Sequence, residues 1–166
     1  MARAESTLLI SFIDLTHYRL NATRTPDGEL ADIIDGYYEL VGERVARAGG
    51  RVVKFIGDAA LIVFDEARAE AGVLALLELK AAGDAYFAAR GWDSLAIVKA
   101  HVGTVIAGEF GARGDKRYDV IGNTVNAAAT LPSRGFAISS EAYARLGEAT
   151  RARFRENSPP LTYVPT

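Results

Sequence analysis

Two aspartates, Asp14 and Asp58, stand beside apolar runs that have the composition of β-strands. The first follows residues 8–13 (LLISFI), and the second follows residues 52–57 (VVKFIG) and precedes a further apolar run. A carboxylate is costly to bury unless it is paired with a cation or coordinates a metal. If neighbouring strands bring the two together, they have the chemistry of a two-metal phosphoryl-transfer site. Taken singly, each aspartate is equally compatible with a turn, a position that Asp favours.

Four segments of the chain resemble the class III nucleotidyl cyclase catalytic domain, the adenylate and guanylate cyclase homology domain. The segments occur in the order of that family and with similar separations, so the resemblance extends over residues 8–130. It implies an α+β fold in which helices pack on a ferredoxin-like antiparallel sheet, and residues 1–166 are expected to form a single catalytic domain. The segments are residues 12–15 (FIDL), 49–59 (GGRVVKFIGDA), 101–108 (HVGTVIAG) and 117–128 (RYDVIGNTVNAA).

The resemblance implies a metal site. Asp14 and Asp58 match the two metal-binding aspartates of the family, and the backbone carbonyl of Leu15 matches an additional ligand. Two Mg²⁺ or Mn²⁺ ions, which favour oxygen ligands, are therefore expected. They would activate the ribose 3′-hydroxyl and hold the triphosphate, so that attack on the α-phosphorus gives a 3′,5′-cyclic nucleotide and pyrophosphate. No catalytic histidine is indicated, and His17 and His101 are expected to be structural.

Lys54 and Asp119 match the family pair that recognises the base. Lysine offers only donors and an ionised aspartate only acceptors, so the pair complements the N1 acceptor and the exocyclic amine of adenine. Guanine presents the reverse pattern, and guanylate cyclases have glutamate in place of the lysine. ATP is therefore the expected substrate, with UTP, which related bacterial cyclases use, and GTP as alternatives. Without the resemblance, Lys54 would be a solvated strand lysine and Asp119 a turn residue.

The transition-state part of the resemblance is incomplete. Asn126 matches the asparagine that orients the ribose, but the family arginine one helical turn later is Thr130 in this chain. Threonine cannot give a charged, forked donor to a developing phosphorane, and losing one such stabiliser costs about 10²–10³ in rate. Arg134 lies a further turn along, although Pro132 indicates that the helix ends before it. Residues 158–163 (SPPLTY) also lack the family lysine that contacts the triphosphate.

The resemblance also implies an assembly. In the family, one subunit supplies the metal aspartates and the other supplies the base-recognition pair and the asparagine. A chain that carries both sets is expected to form a head-to-tail homodimer with two equivalent sites. Three functions remain open: a slow adenylate cyclase, a degenerate module that binds nucleotide or a partner without turnover, and a cyclase for another nucleotide. The presence of Asp14, Asp58 and Asn126 favours catalysis, because a scaffold needs none of them.

The composition excludes several classes of protein. The chain has 166 residues, of which 49% are apolar and 24% charged, ordinary values for one globular domain. Its net charge of −2 gives no basic surface for nucleic acid or an anionic membrane. There is no cysteine, which excludes disulfides and thiolate metal sites. The N-terminus lacks a signal-peptide pattern and no apolar run reaches transmembrane length, so we expect a cytoplasmic protein.

Apolar spacing predicts the elements that position these side chains. A strand is expected over residues 7–13 and a turn at 25–28. The helix that follows has an apolar stripe formed by Leu30, Ile34, Tyr37, Val41, Val45 and Ala48. A hairpin around residues 57–58 comes next, and Asp65 is expected to cap a second long helix that ends near Gly91.

The second half of the chain is predicted to alternate strands with short helices. A loop is expected over residues 111–116, a short helix from Thr124 and a small helix over 139–146. Strands are predicted at 94–102, 104–110, 136–138 and 161–164. The order strand, helix, hairpin, helix, strand is that of a ferredoxin-like α+β fold.

Overall fold

The computed structural model describes residues 2–166, and its regular elements alternate between strands and helices. In chain order they are β1 (Ala4–Leu15), α1 (Tyr18–Thr23), α2 (Asp27–Arg47), β2 (Arg51–Ile56), β3 (Ala59–Asp65), a 3₁₀ turn (Glu66–Arg68), α3 (Ala69–Ala88), β4 (Ala96–Ala112), β5 (Asp115–Ile121), α4 (Asn123–Thr130), β6 (Phe136–Ile138), α5 (Ser140–Tyr143), α6 (Glu148–Arg151), β7 (Phe154–Asn157) and β8 (Thr162–Pro165).

One mixed sheet organises the molecule. Its strand order is β2-β3-β1-β4-β6-β8-β7, and β5 pairs with the C-terminal part of β4, residues 106–112. All neighbouring pairs are antiparallel except β4 with β6, which is parallel. The central strand β1 carries Asp14 opposite Ile97 of β4. The predicted α+β class with a mostly antiparallel sheet is confirmed.

The larger core lies between the sheet and the two long helices. Helix α2 buries Ile33, Tyr37, Val41 and Val45, which recur every four residues and therefore share one face. The predicted stripe is confirmed with one change, because Ile33 rather than Ile34 is the buried isoleucine of its first turn. Helix α3 contributes further buried side chains to the same core, among them Val73, Leu76, Leu79 and Phe87.

The opposite face of the sheet has a smaller core. Leu8 and Ile10 of β1, Leu61 of β3 and Val120 of β5 form it together with Ala128 of α4. Because side chains alternate along a strand, Asp14 shares this face with Ile10, whereas Leu15 belongs to the core under the helices. The end of β1 therefore sends a carboxylate to one side of the sheet and an apolar anchor to the other.

Several predicted boundaries were wrong in the first half of the chain. Helix α1 was not predicted, because its six residues are too few to show a hydrophobic period. The expected turn at residues 25–28 is the beginning of α2, where Pro26 precedes the first helical residue and Asp27 and Glu29 favour the positive end of the helix dipole. Asp65 precedes the 3₁₀ turn, and its side chain makes no capping hydrogen bond.

The second half differs at the strands around β4. The predicted strands at 94–102 and 104–110 are one strand, β4. The loop expected at 111–116 is reduced to residues 113–114, because 111–112 and 115–116 pair with each other in β4 and β5. Strands β5 and β7 were not predicted. The late strand at 136–138 is confirmed, and Ser139 caps α5 by accepting a hydrogen bond of 3.2 Å from the amide of Ala142. No helix within residues 2–166 is long and apolar enough to cross a membrane.

Candidate active site

The turn that carries Asp58 is fixed by a long helix. Gly57 and Asp58 form the two-residue turn between Ile56 of β2 and its register partner Ala59 of β3. Gly57 has φ +60°, a conformation that glycine adopts without steric cost. The hydroxyl of Tyr38 on α2 donates a hydrogen bond to the carbonyl of Gly57. The ring of Tyr38 stacks on Phe55 with centroids 3.8 Å apart. A single side chain of α2 therefore holds the turn through two contacts.

The two aspartates expected to bind metal lie at the same end of the sheet. The backbone amide of Leu15 donates a hydrogen bond of 3.1 Å to Oδ2 of Asp58, which ties the β2–β3 turn to the end of β1. Burial raises the pKa of the Asp14 carboxyl above its usual 3.8; Lys99 opposes this shift and the nearby Asp58 adds to it. The structure thus brings Asp14, Leu15 and Asp58 together, with more negative charge than the site neutralises by itself.

This donor set fits a hard divalent cation. Within residues 2–166 there is no group of three or more His, Cys, Asp or Glu side chains that could enclose a metal ion. Two carboxylates and a backbone carbonyl leave most coordination positions to water or to substrate oxygens. Mg²⁺ is usually held in that way, by one or two carboxylates together with substrate phosphates. Burial is the main cause of the raised Asp14 pKa, and the negative charge of Asp58 adds to it, so a cation bound beside the two carboxylates would stabilise the ionised form of Asp14.

The base-recognition candidates meet where β2 approaches β5. Nζ of Lys54 on β2 lies 2.7 Å from Oδ2 of Asp119 on β5. The other oxygen of Asp119 accepts a hydrogen bond of 2.8 Å from the amide of Val120, so the carboxylate is oriented. The side chains are 47% and 23% exposed, which leaves room for a ligand to contact both. A donor-only and an acceptor-only group thus stand side by side.

Helix α4 carries the remaining predicted residues. Asn126 is exposed and lines a shallow depression of about 460 Å³ beside the β5–α4 connection. The hydroxyl of Thr130 donates a hydrogen bond of 2.8 Å to the carbonyl of Asn126, so it is engaged by its own helix. Helix α4 ends at Thr130, as Pro132 indicates, and Arg134 lies beyond it. Arg134 lines a separate cleft of about 700 Å³ with Lys80 and Arg155.

Lys99 lies beside the candidate metal site, and the sequence analysis missed it. It stands on β4 opposite Phe12, one diagonal step from Asp14, and its positive charge opposes the rise in the Asp14 pKa. Its Nζ donates a hydrogen bond of 3.0 Å to the carbonyl of Ala129, which links β4 to the last turn of α4. The signal in the sequence was a lysine inside the apolar run 96–102.

Helix α1 was missed as well, and it borders the metal candidates. The turn before it places His17 in the left-handed region, with φ 54°, and His17 Nδ1 lies 3.2 Å from Oδ2 of Asp93. An open cleft of about 680 Å³ lies between α1 and the two strand ends. It is lined by Leu15, His17, Tyr18, Arg19, Leu20, Thr23, Arg24 and Asp58.

Comparison with known families agrees with this arrangement. Residues 2–158 match the family described as the adenylate and guanylate cyclase catalytic domain. The chain belongs to this family. The cyclase domain therefore carries the fold and the residue order that the four sequence segments indicated, including the two aspartates at adjoining strand ends.

Proteins similar to this cyclase domain include adenylate cyclases and guanylate cyclases. It is 25% identical over 138 residues to an adenylate cyclase of Anabaena cylindrica, which covers 78% of this chain and 28% of that protein. The chain thus spans less than a third of the length of this curated relative. Among solved structures, the adenylyl cyclase CyaB from P. aeruginosa superposes with a TM-score of 0.85 at 19% identity, covering 98% of this chain and 95% of that chain.

A guanylate cyclase has the same fold. The guanylate cyclase domain of RhGC from Catenaria anguillulae, solved in complex with GTP, superposes with a TM-score of 0.82 at 21% identity and covers 98% of each chain. At these identities the likeness shows the fold alone. The choice of nucleotide must therefore be argued from the side chains of this cyclase domain.

Proposed function

We propose that this domain is an adenylate cyclase that converts ATP to 3′,5′-cyclic AMP and pyrophosphate. The observation that carries the proposal is the pair formed by Lys54 and Asp119, whose Nζ and Oδ2 atoms lie 2.7 Å apart at a half-exposed position. A donor beside an acceptor complements adenine, whereas guanine would require the opposite arrangement. The adenylate cyclase named among the relatives of this chain supports the same choice.

Asp14, Asp58 and the carbonyl of Leu15 would hold two divalent cations, Mg²⁺ or Mn²⁺, which when bound lower the pKa of the ribose 3′-hydroxyl and neutralise the phosphates. Lys54 would donate to N1 of the adenine, and Asp119 would accept from its exocyclic amine. The exposed amide of Asn126 would orient the ribose. Each role asks the side chain to position or neutralise a group, which is what phosphoryl transfer chiefly requires.

We further propose that the site is completed by a second copy of the chain, arranged head to tail. In this arrangement the metal candidates of one protomer face the Lys54–Asp119 pair of its partner. Two exposed isoleucines support an interface: Ile106 of β4 and Ile121 of β5 are register partners and are 41% and 51% exposed. A second copy seated on this strand pair would cover both apolar side chains.

We expect slow turnover. The hydroxyl of Thr130 donates to the backbone of Asn126, and a neutral hydroxyl engaged in that way gives no charged donor to a phosphorane. Loss of one preorganised stabiliser costs about 10²–10³ in rate. The same observation supports the second candidate, a cyclase-like module that binds nucleotide without turnover.

One experiment separates these functions. The full chain is incubated with ATP, GTP, UTP or CTP in the presence of Mn²⁺ or Mg²⁺, and products are identified by mass spectrometry. The proposal expects cyclic AMP from ATP, and none from the Asp58→Asn variant. A cyclic product from GTP or UTP in preference to ATP would replace the adenylate assignment. Binding of ATP without any cyclic product would favour the binding module.

A further inference from the structure

The cleft beside α1 carries positively charged side chains, which a site that bound only metal cations would not need. One wall is formed by Leu15 and Asp58, which belong to the candidate metal site, and the other by α1 and the residue after it. The second wall contributes two arginines, Arg19 and Arg24. Cationic side chains are thus placed across an open space of about 680 Å³ from a carboxylate of that site.

Neither guanidinium is used by the fold. Arg19 and Arg24 are exposed, and within residues 2–166 neither side chain forms a hydrogen bond, an ion pair or a ring contact. Their backbones alone take part in structure: the carbonyl of Arg19 accepts from the hydroxyl of Thr23, and the amide of Arg24 donates to the carbonyl of Asn21. All the side-chain donors of both arginines therefore remain available to a ligand.

The support under these arginines is rigid. The amide nitrogen of Asn21, a residue only 9% exposed, donates to the carbonyl of His17 at 3.1 Å, to Asp93 at 2.8 Å and to the hydroxyl of Ser94 at 3.1 Å. These bonds fix α1 to the segment before β4 and hold His17 in its left-handed conformation. A non-glycine residue rarely adopts this conformation, which persists only where the surroundings impose it.

We propose that Arg19 and Arg24 bind the terminal phosphates of the nucleotide. A guanidinium forms paired hydrogen bonds to phosphate oxygens, and two of them supply the positive charge that Thr130 and residues 158–163 do not. The nearby Asp58 would repel a bare anion, so the ligand that fits the cleft is a polyphosphate carrying a divalent cation. This assignment rests on the proposed function, since it names the side chains that hold its substrate.

Calorimetric titration of inorganic triphosphate into the full chain, in buffer containing Mn²⁺, tests the assignment without catalysis. We expect Arg19→Gln and Arg24→Gln each to raise the Kd about tenfold, which corresponds to about 1.4 kcal/mol. Arg19→Lys, which keeps the charge but loses the fork, should give an intermediate Kd. Arg153→Gln is the matched control, because Arg153 is also exposed but lies outside the cleft, and its Kd should equal that of wild type.

Thermal unfolding of every variant shows whether it is folded; because both arginines are exposed and unpaired, the Tm should not change. Wild-type Kd values in both Gln variants, or no binding of triphosphate to the wild type, would overturn the assignment. Its failure is distinct from that of the proposed function. If the chain forms cyclic AMP but the Gln variants bind triphosphate as tightly as wild type, only the role of Arg19 and Arg24 is refuted. If triphosphate binding depends on the arginines but no nucleotide gives a cyclic product, only the proposed cyclase activity is refuted.

Discussion

Nζ of Lys54 lies 2.7 Å from Oδ2 of Asp119, so the two side chains proposed to recognise the base hold each other across β2 and β5 in the free chain. A half-exposed pair of this kind contributes only about 0.2–1 kcal/mol to stability. Its geometry therefore matters more for recognition than for folding. An adenine that meets both groups must accept from the lysine and donate to the aspartate at one edge.

Lys54→Glu should reverse the lysine half of this recognition pattern and leave Asp119 as an acceptor. We expect kcat/KM for ATP to fall by about 10²-fold, on the scale of one or two lost charged hydrogen bonds, and GTP to become relatively better. The measurement is the ratio of kcat/KM values for the two nucleotides. Lys116→Glu, the same charge reversal at an exposed position of β5, is the control and should leave the ratio unchanged. An unchanged ratio in Lys54→Glu would contradict the proposed role of Lys54 and Asp119 in recognising the base.

Asp14→Asn should abolish cyclic nucleotide formation and yet stabilise the metal-free protein at neutral pH. Burial raises the pKa of Asp14 above 3.8, so the folded state holds this proton more tightly than the unfolded state does. The stability of the wild type therefore falls as the pH rises from 3.8 through the raised pKa, and the asparagine variant lacks that loss.

Thermal unfolding in EDTA between pH 4 and pH 8 measures this difference. The Tm of the variant should exceed that of the wild type above the raised pKa, and the two should converge at low pH. The Tm should rise by about 2–4 °C at most, which corresponds to about 1 kcal/mol in a chain of this size. A larger rise is not expected because Asp14 is only half-buried. A variant less stable than wild type at pH 7 would show that the carboxylate is satisfied without metal.

Tyr38→Phe should loosen the turn that carries Asp58. The change removes the hydrogen bond to the Gly57 carbonyl and retains the stack on Phe55. We expect the free energy of unfolding to fall by about 0.5–1.5 kcal/mol. The Mn²⁺ concentration for half-maximal activity should rise several-fold, with kcat retained at saturating metal.

Tyr86→Phe is the matched control for Tyr38→Phe. It removes a similar hydrogen bond, of 2.6 Å from Tyr86 on α3 to the carbonyl of Ile33 on α2, away from the turn. Its stability should fall by a comparable amount while the metal dependence stays as in wild type. Equal shifts of the metal dependence in both variants would mean that Tyr38 supports the helix and not the site.

Thr130→Arg should raise kcat more than it changes KM. A guanidinium at this position would contact the phosphorane only in the transition state, and a tenfold gain needs only about 1.4 kcal/mol. Steady-state kinetics with ATP measures it. Thr130→Val, which removes the hydroxyl bonded to Asn126, should leave kcat unchanged. If Arg134→Ala lowers kcat sharply while Thr130→Arg does nothing, Arg134 already supplies the charge.

The sequence predicted the features that depend on local pattern. The stripe of α2 follows from its four-residue spacing, which a helix converts into one face. Asp14 and Asp58 were expected to be neighbours because each adjoins an apolar strand, and the structure ties the Asp58 carboxylate to the amide after Asp14. The resemblance of the four segments to the cyclase family implied the mostly antiparallel sheet.

Only the tertiary structure decided the features that arise between distant segments. Lys54 and Asp119 are 65 positions apart and meet because the β4–β5 hairpin returns across the sheet. Lys99 lies near Asp14 because β4 pairs with β1 in one particular register. The short α1 has no periodic signal, and it is fixed by Asn21 bonding to Asp93 and Ser94. Such contacts depend on strand register and chain return, which local spacing does not encode.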